Sequence, residues 1–378
     1  MTDLYRFPKP EFDSTLMRLL FEVERLRADI GTGTTPVDTY IELHRLFDMV
    51  MSVVSARIEG NHTTVYEAVE ASPATERPDR DEHWREVSNI LAAARALDDR
   101  DPQLLLTHSL VRELHERTVT NLTREGDPTP GDYRSVDVAI TGSQHRPPSW
   151  VTVHAEISDL LDFANQERPP HEQMMQIALA HHRFVWIHPF QNGNGRVSRL
   201  FTYAMLRRTI FATGGHSALN PTSVFGNDRS AYISALEAAD RLDDAGALEW
   251  SEFFVHGIRD DLSRIVRLQD HEYVVRTLVG PALDTLARDG LIDPLEHRVL
   301  MRVLIAGTVK AGDLESDVAG SASRRSRLIR TLLDRSLLTQ ADEGPRFYRL
   351  SLARGPIAGR LIRRLDDLGM LPKMLSDD

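Results

Sequence analysis

Apolar residues recur every three or four positions through most of this 378-residue chain, whereas few stretches alternate apolar and polar residues as strands do. This periodicity predicts a mainly α-helical protein. A first amphipathic helix fits residues 10–30, and a second runs from Pro36 to Ile58, where Gly60 and Asn61 predict a left-handed C-cap. Further helices are predicted near residues 63–72, 80–98, 106–122, 152–167, 171–187, 193–212, 228–241 and 246–268.

Composition excludes several classes of protein and of chemistry. Hydrophobic residues make up 41% of the chain and charged residues 27%, which excludes the collagen, coiled-coil and disordered classes. The chain has no cysteine, so disulfides, Cys-ligated zinc, iron–sulfur clusters and a thiol nucleophile are excluded. The net charge of −11 argues against a general polyanion binder, although a local basic patch stays open.

The N-terminal sequence and the hydropathy pattern predict a cytoplasmic protein without a membrane span. The start, MTDLYRFPKPEFD, carries charges and prolines where a signal peptide needs an apolar core. No window approaches the 18 or so uninterrupted apolar residues of a transmembrane helix.

Beyond about residue 290 the pattern changes to three short helices and a small hairpin. Helical stretches are predicted at 294–305, 309–318 and 321–338, and the runs LLTQ and RFYRLS flank the turn ADEGP. This order is typical of a winged helix. Its last helix is basic, with Arg324, Arg325, Arg327, Arg330 and Arg335. DNA contact and protein docking both stay open, because the neighbouring helix is acidic.

The segment HPFQNGNGRVSR, residues 188–199, carries the clearest chemical signal. His188 ends an apolar helix, Pro189 cannot continue it, and a turn with two glycines precedes the next helix. Backbone N–H groups at such a helix N-terminus can bind a phosphate, whose charge the helix dipole favours. Arg196 and Arg199 share one helix face and suit bidentate phosphate recognition. A histidine beside this cradle fits a general base.

This segment resembles the signature of the Fic family, HPFx(D/E)GNGRxxR. The resemblance implies a helical core, a nucleotide over the motif loop, and transfer of AMP from ATP to a protein hydroxyl with Mg²⁺ or Mn²⁺. It implies that His188 deprotonates the Ser, Thr or Tyr hydroxyl and that Phe190 is a buried anchor. The implied phosphate contacts are Gly193, Asn194 and Gly195 for the α- and β-phosphates, Arg196 for the β-phosphate and Arg199 for the γ-phosphate.

Asn192 departs from this signature, because the family usually has Asp or Glu there to hold Mg²⁺. An amide oxygen carries no charge and Mg²⁺ prefers anionic oxygens, so Asn192 is expected to be a weak metal ligand. A protein adenylyltransferase is the leading hypothesis. The alternatives are a Fic-fold enzyme that transfers another group or removes AMP, and a nucleotide-binding regulator without turnover.

A second motif, SARIEGN at residues 55–61, resembles the inhibitory motif (S/T)xxxE(G/N) of Fic proteins that carry their inhibitory helix upstream. The resemblance implies that Ser55 and Glu59 act on Arg199, with Glu59 taking the place of the γ-phosphate. The predicted domains are a helical region at 1–105 with the inhibitory helix at about 37–60, a Fic core at 106–270, and a winged-helix-like domain at 271–378.

The run VDVAI at 136–140 is the best candidate for a strand outside the C-terminal hairpin. By the family resemblance it belongs to a flap hairpin that pairs with the backbone of a target protein. The flap residues would be Val138, Ala139, Ile140, Thr141, Gly142 and Ser143. Tyr232 would lie beside the nucleotide base, although a core tyrosine fits its position equally well. His181 and His182 are interpreted as packing residues, and a homodimer is left open.

Overall fold

The computed structural model describes residues 5–70, 82–140, 142–209 and 224–375, and it confirms a mainly helical chain with one two-stranded antiparallel sheet in this part. The helices are α1 Thr15–Asp29, α2 Val37–Ile58, α3 Val65–Glu70, α4 Glu82–Asp98, α5 His108–Val119, α6 Val153–Asn165, α7 Pro170–Ile187, α8 Asn194–Thr209, α9 Val224–Asn227, α10 Arg229–Ala239, α11 Asp244–Gln269, α12 His271–Tyr273, α13 Gly280–Arg288, α14 Pro294–Ala306, α15 Ala322–Asp334 and α16 Gly355–Asp367. The strands are β1 Leu338–Ala341 and β2 Gly344–Leu350.

Helix α2 is buried along most of its length and ends as the sequence predicts. Gly60 has a φ of 94°. Its N–H donates to the Arg57 carbonyl at 3.0 Å, and the N–H of Asn61 donates to the Ala56 carbonyl at 3.1 Å. These two bonds form a Schellman motif, which requires the left-handed conformation that glycine adopts without strain. Glu59 is the C-cap residue, immediately before Gly60, so the motif fixes the backbone from which the Glu59 side chain projects.

Helices α7 and α8 form the centre of the molecule, and the loop 188–193 connects them. Both helices pack against each other, and α8 also contacts α4 and α5. Helix α7 is braced by α11, where the buried indole of Trp250 donates to the Ala178 carbonyl at 2.6 Å. Buried apolar residues of all three predicted domains form one hydrophobic cluster. The predicted domain boundaries at residues 105 and 270 stay predictions.

The C-terminal segment contains the expected hairpin, in which Leu338 pairs with Leu350 and a single bridge joins Val309 to Tyr348. The predicted helix at 309–318 is reduced to one 3₁₀ turn, Ala311–Leu314, in which the Asp313 carboxylate accepts the Lys310 N–H. Helices α12, α13 and α16 were not predicted from the sequence. The winged-helix assignment stays a prediction.

Two of the five arginines predicted to make α15 a DNA-contacting helix are used inside the protein. Arg325 is buried and donates to the Gly320 carbonyl at 3.1 Å. Arg335 forms an ion pair with Glu296 at 2.5 Å. One of the five arginines is therefore buried and a second is paired with an acidic side chain, and DNA contact stays a prediction.

The strand predicted at 136–140 is not formed. Residues 136–140 have no ladder partner in the described part of the chain, and the backbone bond from Ser143 N–H to the Ile140 carbonyl, 3.2 Å, is a turn. An alternating pattern alone does not form a strand, because a strand also needs a second chain segment to pair with. Thr141 lies outside the described residues.

No described helix combines the length and the hydropathy that crossing a membrane requires.

Candidate active site

The loop between α7 and α8 is closed by the side chain of Asn194. Its amide oxygen accepts the Phe190 N–H and its amide nitrogen donates to the Phe190 carbonyl, both at 2.9 Å. His188 has a φ of 51° and Gly193 a φ of 77°, so the chain turns sharply at both ends of the loop. The first turn of α8 follows, and the Val197 N–H donates to the Gly193 carbonyl. The loop is thus a preformed turn that leads into a helix N-terminus.

The His115 ring packs against this loop and forms a hydrogen bond to its backbone, a role that the sequence analysis did not predict. Its ring stacks on Phe190 with centroids 3.7 Å apart and planes 7° apart. The Gly131 N–H donates to Nδ1 at 3.0 Å, so Nδ1 carries no hydrogen and Nε2–H donates to the Asn192 carbonyl at 3.2 Å. Burial lowers the pKa of His115 to about 4. The anchor role expected for Phe190 agrees with its full burial.

Arg134 connects the flap segment to the motif loop, and sequence reasoning missed it as well. Its buried guanidinium donates from Nε to the His188 carbonyl at 2.8 Å and from Nη1 to the Val136 carbonyl at 3.1 Å. Nη2 donates to the Pro148 carbonyl, and the backbone N–H donates to the Pro189 carbonyl at 2.9 Å. The two ends of segment 136–148 are therefore held beside His188. A lone arginine before an apolar run gave no signal for this role.

The His188 side chain is in a partly buried position that favours its neutral form. Nδ1 lies 3.3 Å from the Val185 carbonyl, which suits a protonated Nδ1 and leaves the Nε2 lone pair free. Burial lowers the pKa of His188 to about 4, and the nearby Arg134 acts in the same direction. The Val185 hydrogen bond and the Glu59 charge oppose this shift only in part. A neutral imidazole with a free lone pair can accept a proton.

Arg199 is held by the C-terminal end of α2, which confirms the predicted ion pair. Its Nη2 donates to the Glu59 carboxylate and to the Ser55 carbonyl, and its Nε donates to the Ser55 hydroxyl, each at 2.8 Å. Burial raises the pKa of Glu59, but the charges of Arg199 and Arg196 outweigh burial, so the pKa is lowered. The carboxylate is therefore charged at neutral pH.

The Glu59 carboxylate also lies directly over the first turn of α8. A Cβ built on Gly195 would come within 2.1 Å of Glu59 Oε1 and 3.2 Å of Arg199 Nη1. The glycine is needed because the carboxylate approaches the backbone so closely. A negative group at a helix N-terminus is stabilised there by the helix dipole and the free N–H groups. The position predicted for phosphates thus holds an anionic side chain.

The Arg196 guanidinium lies beside the motif loop, where a Cβ built on Gly193 would come within 3.6 Å of its Nη2. Its buried guanidinium donates from Nη1 to Glu86 Oε1 at 2.9 Å and from Nη2 to the Glu125 carbonyl at 2.8 Å. The other oxygen of Glu86 accepts from Asn61 Nδ2 at 2.8 Å. Contact between Arg196 and a phosphate stays a prediction.

Asn192 uses its side chain inside the loop. Its Oδ1 accepts the Gly193 N–H at 2.7 Å, and its Nδ2 donates to the Gly126 carbonyl at 3.2 Å. The nearby Asp127 carboxylate accepts the Asn192 N–H at 3.0 Å and the Thr129 N–H at 2.8 Å. Both oxygen donors are thus already hydrogen-bonded, and position 192 carries no charge. An uncharged amide is a weak Mg²⁺ ligand, and contact between Asn192 and the metal stays a prediction.

Tyr232 lies in an aromatic cluster and not on an open surface. It is 4% exposed, and its hydroxyl lies 2.9 Å from Nε2 of the buried His181. His182 is likewise buried and lies 2.9 Å from Asp240. The interpretation of both histidines as packing residues is confirmed. The contact of Tyr232 with a nucleotide base stays a prediction, and the burial of the ring favours the core alternative.

Comparison with known proteins gives matches over the centre of the chain. Residues 105–206 match the model of the Fic/DOC family. A "Protein adenylyltransferase Fic" of Nematostella vectensis is 32% identical over 114 residues, 30% of this chain and 24% of that protein. A "Probable protein adenylyltransferase" of Aquifex aeolicus is 29% identical over 147 residues, 39% of this chain and 41% of that protein. The matches thus cover less than half of these relatives' length.

Solved structures share the fold. A Fic family protein from Desulfovibrio desulfuricans superposes with a TM-score of 0.56 at 20% identity, covering 91% of this chain and 98% of that one. Fic-1 from C. elegans superposes with a TM-score of 0.52 at 20% identity, covering 66% of this chain and 72% of that one.

Proposed function

Because this chain contains a Fic domain, we propose that it is a protein adenylyltransferase, which transfers AMP from ATP to a Ser, Thr or Tyr hydroxyl of a protein and is inhibited by its own Glu59. Relatives that carry the name protein adenylyltransferase support this activity at the level of the family. The observation that carries the proposal is the Glu59 carboxylate over Gly195, bound by Arg199 and close to the neutral His188.

The chemistry needs a base, an anion cradle and an acceptor hydroxyl. The hydroxyl oxygen forms a bond to the α-phosphorus, the bond from that phosphorus to the bridging oxygen breaks, and pyrophosphate leaves. The proton of the hydroxyl passes to Nε2 of His188. The N–H groups at the start of α8 and the Arg199 guanidinium bind the negative oxygens, since preorganised donors stabilise charge that develops in the transition state.

The flap segment would present the target. Val138, Ala139, Ile140, Gly142 and Ser143 lie between the two ends that Arg134 binds beside His188. Unpaired backbone groups of an extended segment can pair with an extended target chain, which brings the neighbouring side chain to a defined place without demanding its sequence. The same chemistry applies to a second copy of this chain as target.

Inhibition follows from competition for Arg199. Its guanidinium cannot bind the Glu59 carboxylate and a γ-phosphate in the same place, because the two anions repel each other. ATP that enters while Glu59 is in position is expected to bind with its α-phosphate away from His188. Release of Glu59 is therefore the activating step.

The test uses ATP labelled on either the α- or the γ-phosphate, with the Glu59→Gly variant and Mg²⁺ or Mn²⁺. Protein label from the α-phosphate and none from the γ-phosphate supports AMP transfer. Label from the γ-phosphate alone indicates phosphoryl transfer. If neither label is transferred, loss of AMP from a previously labelled protein would identify the reverse, hydrolytic reaction.

A regulator that binds nucleotide without turnover is the second candidate. The observations that favour it are the uncharged Asn192 and the ion pair that keeps Arg196 on Glu86. Saturable ATP binding by the Glu59→Gly variant, with no transfer of either label, would select this candidate.

The rate of transfer by the Glu59→Gly variant is expected to be constant between about pH 6 and 8 and to fall below about pH 5. A base works in its neutral form, and a His188 with a pKa of about 4 is already neutral above pH 6. The Glu59 charge raises the pKa of His188, so the pKa of His188 is expected to be lower still in the variant, which lacks that charge. The pH–rate profile checks this, and a half-maximal rate near the ordinary histidine value of 6.5 would contradict it.

Asn192→Asp is expected to reduce the metal concentration for half-maximal transfer by about tenfold, because the carboxylate adds an anionic oxygen beside the phosphates. Aspartate cannot donate to the Gly126 carbonyl, so the side chain loses one of its two hydrogen bonds within the loop and keeps the one from the Gly193 N–H. Transfer is titrated with Mg²⁺ and with Mn²⁺ in the Glu59→Gly background. Asn121→Asp, at an exposed position, adds the same charge elsewhere and is the control. Identical metal titrations for both variants would contradict the prediction.

A further inference from the structure

Three side chains of types that bind metal ions lie close together on the inhibitory helix α2 and at the end of α4. All three are far from the motif loop, residues 188–193, in the sequence. His44 and Asp48 are one turn apart on α2, and Asp98 is the last residue of α4. His44 Nε2 lies 3.3 Å from Asp48 Oδ2 and 3.3 Å from Asp98 Oδ2. All three ligand atoms lie within 4.8 Å of one another.

Hydrogen bonding does not satisfy this cluster. Nε2 of His44 carries at most one hydrogen, so it can donate well to only one of the two carboxylates, and 3.3 Å is longer than the usual distance of about 2.9–3.0 Å. Asp48 Oδ1 and His44 Nδ1 are buried and have no hydrogen-bond partner among the described residues. The Asp48 side chain is 2% exposed. A buried carboxylate oxygen without a hydrogen-bond partner is costly. The Arg207 guanidinium contacts Asp98 and not Asp48, so the Asp48 carboxylate has no arginine within ion-pair distance among the described residues.

The remaining contacts orient the cluster. Asp98 Oδ1 accepts from the Tyr203 hydroxyl at 2.5 Å and lies 3.5 Å from Arg207 Nε, which leaves Oδ2 directed at His44. Such outer hydrogen bonds are typical of carboxylates that bind metal ions. Arg45, the arginine nearest to His44 along α2, is paired with Glu42 at 2.7 Å. No described arginine forms an ion pair or a hydrogen bond with Asp48.

We propose that His44, Asp48 and Asp98 form a binding site for one divalent metal ion, with Zn²⁺ as the preferred ion. Bonds of about 2.0–2.1 Å in a tetrahedral site place neighbouring ligand atoms roughly 3.3 Å apart, which matches the two distances from His44 Nε2, and the two aspartate oxygens lie within 4.8 Å of each other. One imidazole nitrogen and two carboxylate oxygens form a ligand set that suits zinc and leaves the fourth position for water. All three residues line a cavity of about 610 Å³, which gives the ion a path from solvent.

The site would join the inhibitory helix to α4. The metal ion would replace the long contact between His44 and Asp98 by bonds that join the two helices, and a ligand that binds only the folded state stabilises it. This inference does not depend on adenylyltransferase activity, because its ligands lie outside the motif loop and its test needs no nucleotide.

The test is a titration of the full chain with Zn²⁺ after removal of metal by a chelator, without nucleotide. Calorimetry and elemental analysis are expected to give one Zn²⁺ per chain, and the melting temperature is expected to rise with Zn²⁺. Replacing Zn²⁺ by Co²⁺ is expected to give the intense visible absorption of a tetrahedral site. Asp48→Asn and His44→Gln are each expected to weaken Zn²⁺ affinity by about 100-fold or more.

Asp240→Asn is the matched control, because it removes the charge from another pair of a buried histidine with an aspartate, His182–Asp240, for which the described residues offer no third ligand. This control is expected to bind Zn²⁺ like the unmodified chain. Circular dichroism establishes that each variant is folded, and Asp98→Asn replaces any variant that is not. Absence of binding by the unmodified chain, or equal binding by folded ligand variants, would overturn the proposal.

Discussion

Glu59→Gly is expected to raise the rate of AMP transfer by about 10- to 100-fold. A hydrogen bond between charged groups contributes about 1.5–3 kcal/mol, and each 1.4 kcal/mol or so corresponds to a factor of ten in the population of the released state. The substitution removes the carboxylate from Arg199 and from the space over Gly195. Residue 59 follows the last helical residue of α2, so glycine there interrupts no helix interior. Initial rates with α-labelled ATP give the measurement.

Two further variants separate the charge of Glu59 from the shape of its side chain. Glu59→Gln keeps the shape and an acceptor oxygen but removes the charge, and a smaller increase is expected. Ser55→Ala removes the hydroxyl that accepts from Arg199 Nε and leaves the carboxylate in place, so only a slight increase is expected. If Glu59→Gly transfers AMP no faster than the unmodified chain while both bind ATP, the inhibitory role is wrong.

Removal of the His188 imidazole is expected to lower transfer by about 10²- to 10⁴-fold, the range for loss of a general base. Nucleotide affinity is expected to change little, because the proposed phosphate contacts are the backbone of residues 193–195 and Arg199. Both quantities are measured in the Glu59→Gly background, where the unmodified His188 gives the reference rate.

The choice of substitution matters because His188 has a φ of 51°, a conformation in which most side chains are strained. Alanine there would combine loss of the base with backbone strain. Asparagine tolerates the left-handed conformation better and has no basic nitrogen, so His188→Asn is the matched variant. A rate for His188→Asn within a few-fold of the reference would show that another group accepts the proton.

Local sequence patterns predicted the features that depend on neighbouring residues. The 3.6-residue period gave the helices, and Gly60 beside Asn61 gave the end of α2. The ion pair of Glu59 with Arg199 spans 140 positions, yet the two motifs resemble a known family, which supplied the pairing. Local periodicity alone could not have supplied it.

The contacts that sequence reasoning missed depend on which helices pack together. Arg196 meets Glu86 across 110 positions because α8 lies against α4, and no local pattern encodes that choice. Arg134 and His115 donate hydrogen bonds to backbone carbonyls. Every residue has a carbonyl, so the sequence does not indicate which one is the partner. The strand at 136–140 was wrong for a related reason, since strand formation needs a partner as well as an alternating pattern.

The left-handed glycine at the end of α2 makes the strength of inhibition adjustable without any change to the inhibitory carboxylate. A Cβ at Gly60 would meet no atom within 4 Å, so the φ of +94° is what opposes a Cβ at this position. That opposition is on the order of 1–2 kcal/mol for ordinary residues and smaller for asparagine. Different substitutions at position 60 would therefore give a graded series of activities in the absence of any activating signal. Each substitution would change, by a different small amount, the free-energy difference between the state in which Glu59 binds Arg199 and the state in which Glu59 is released.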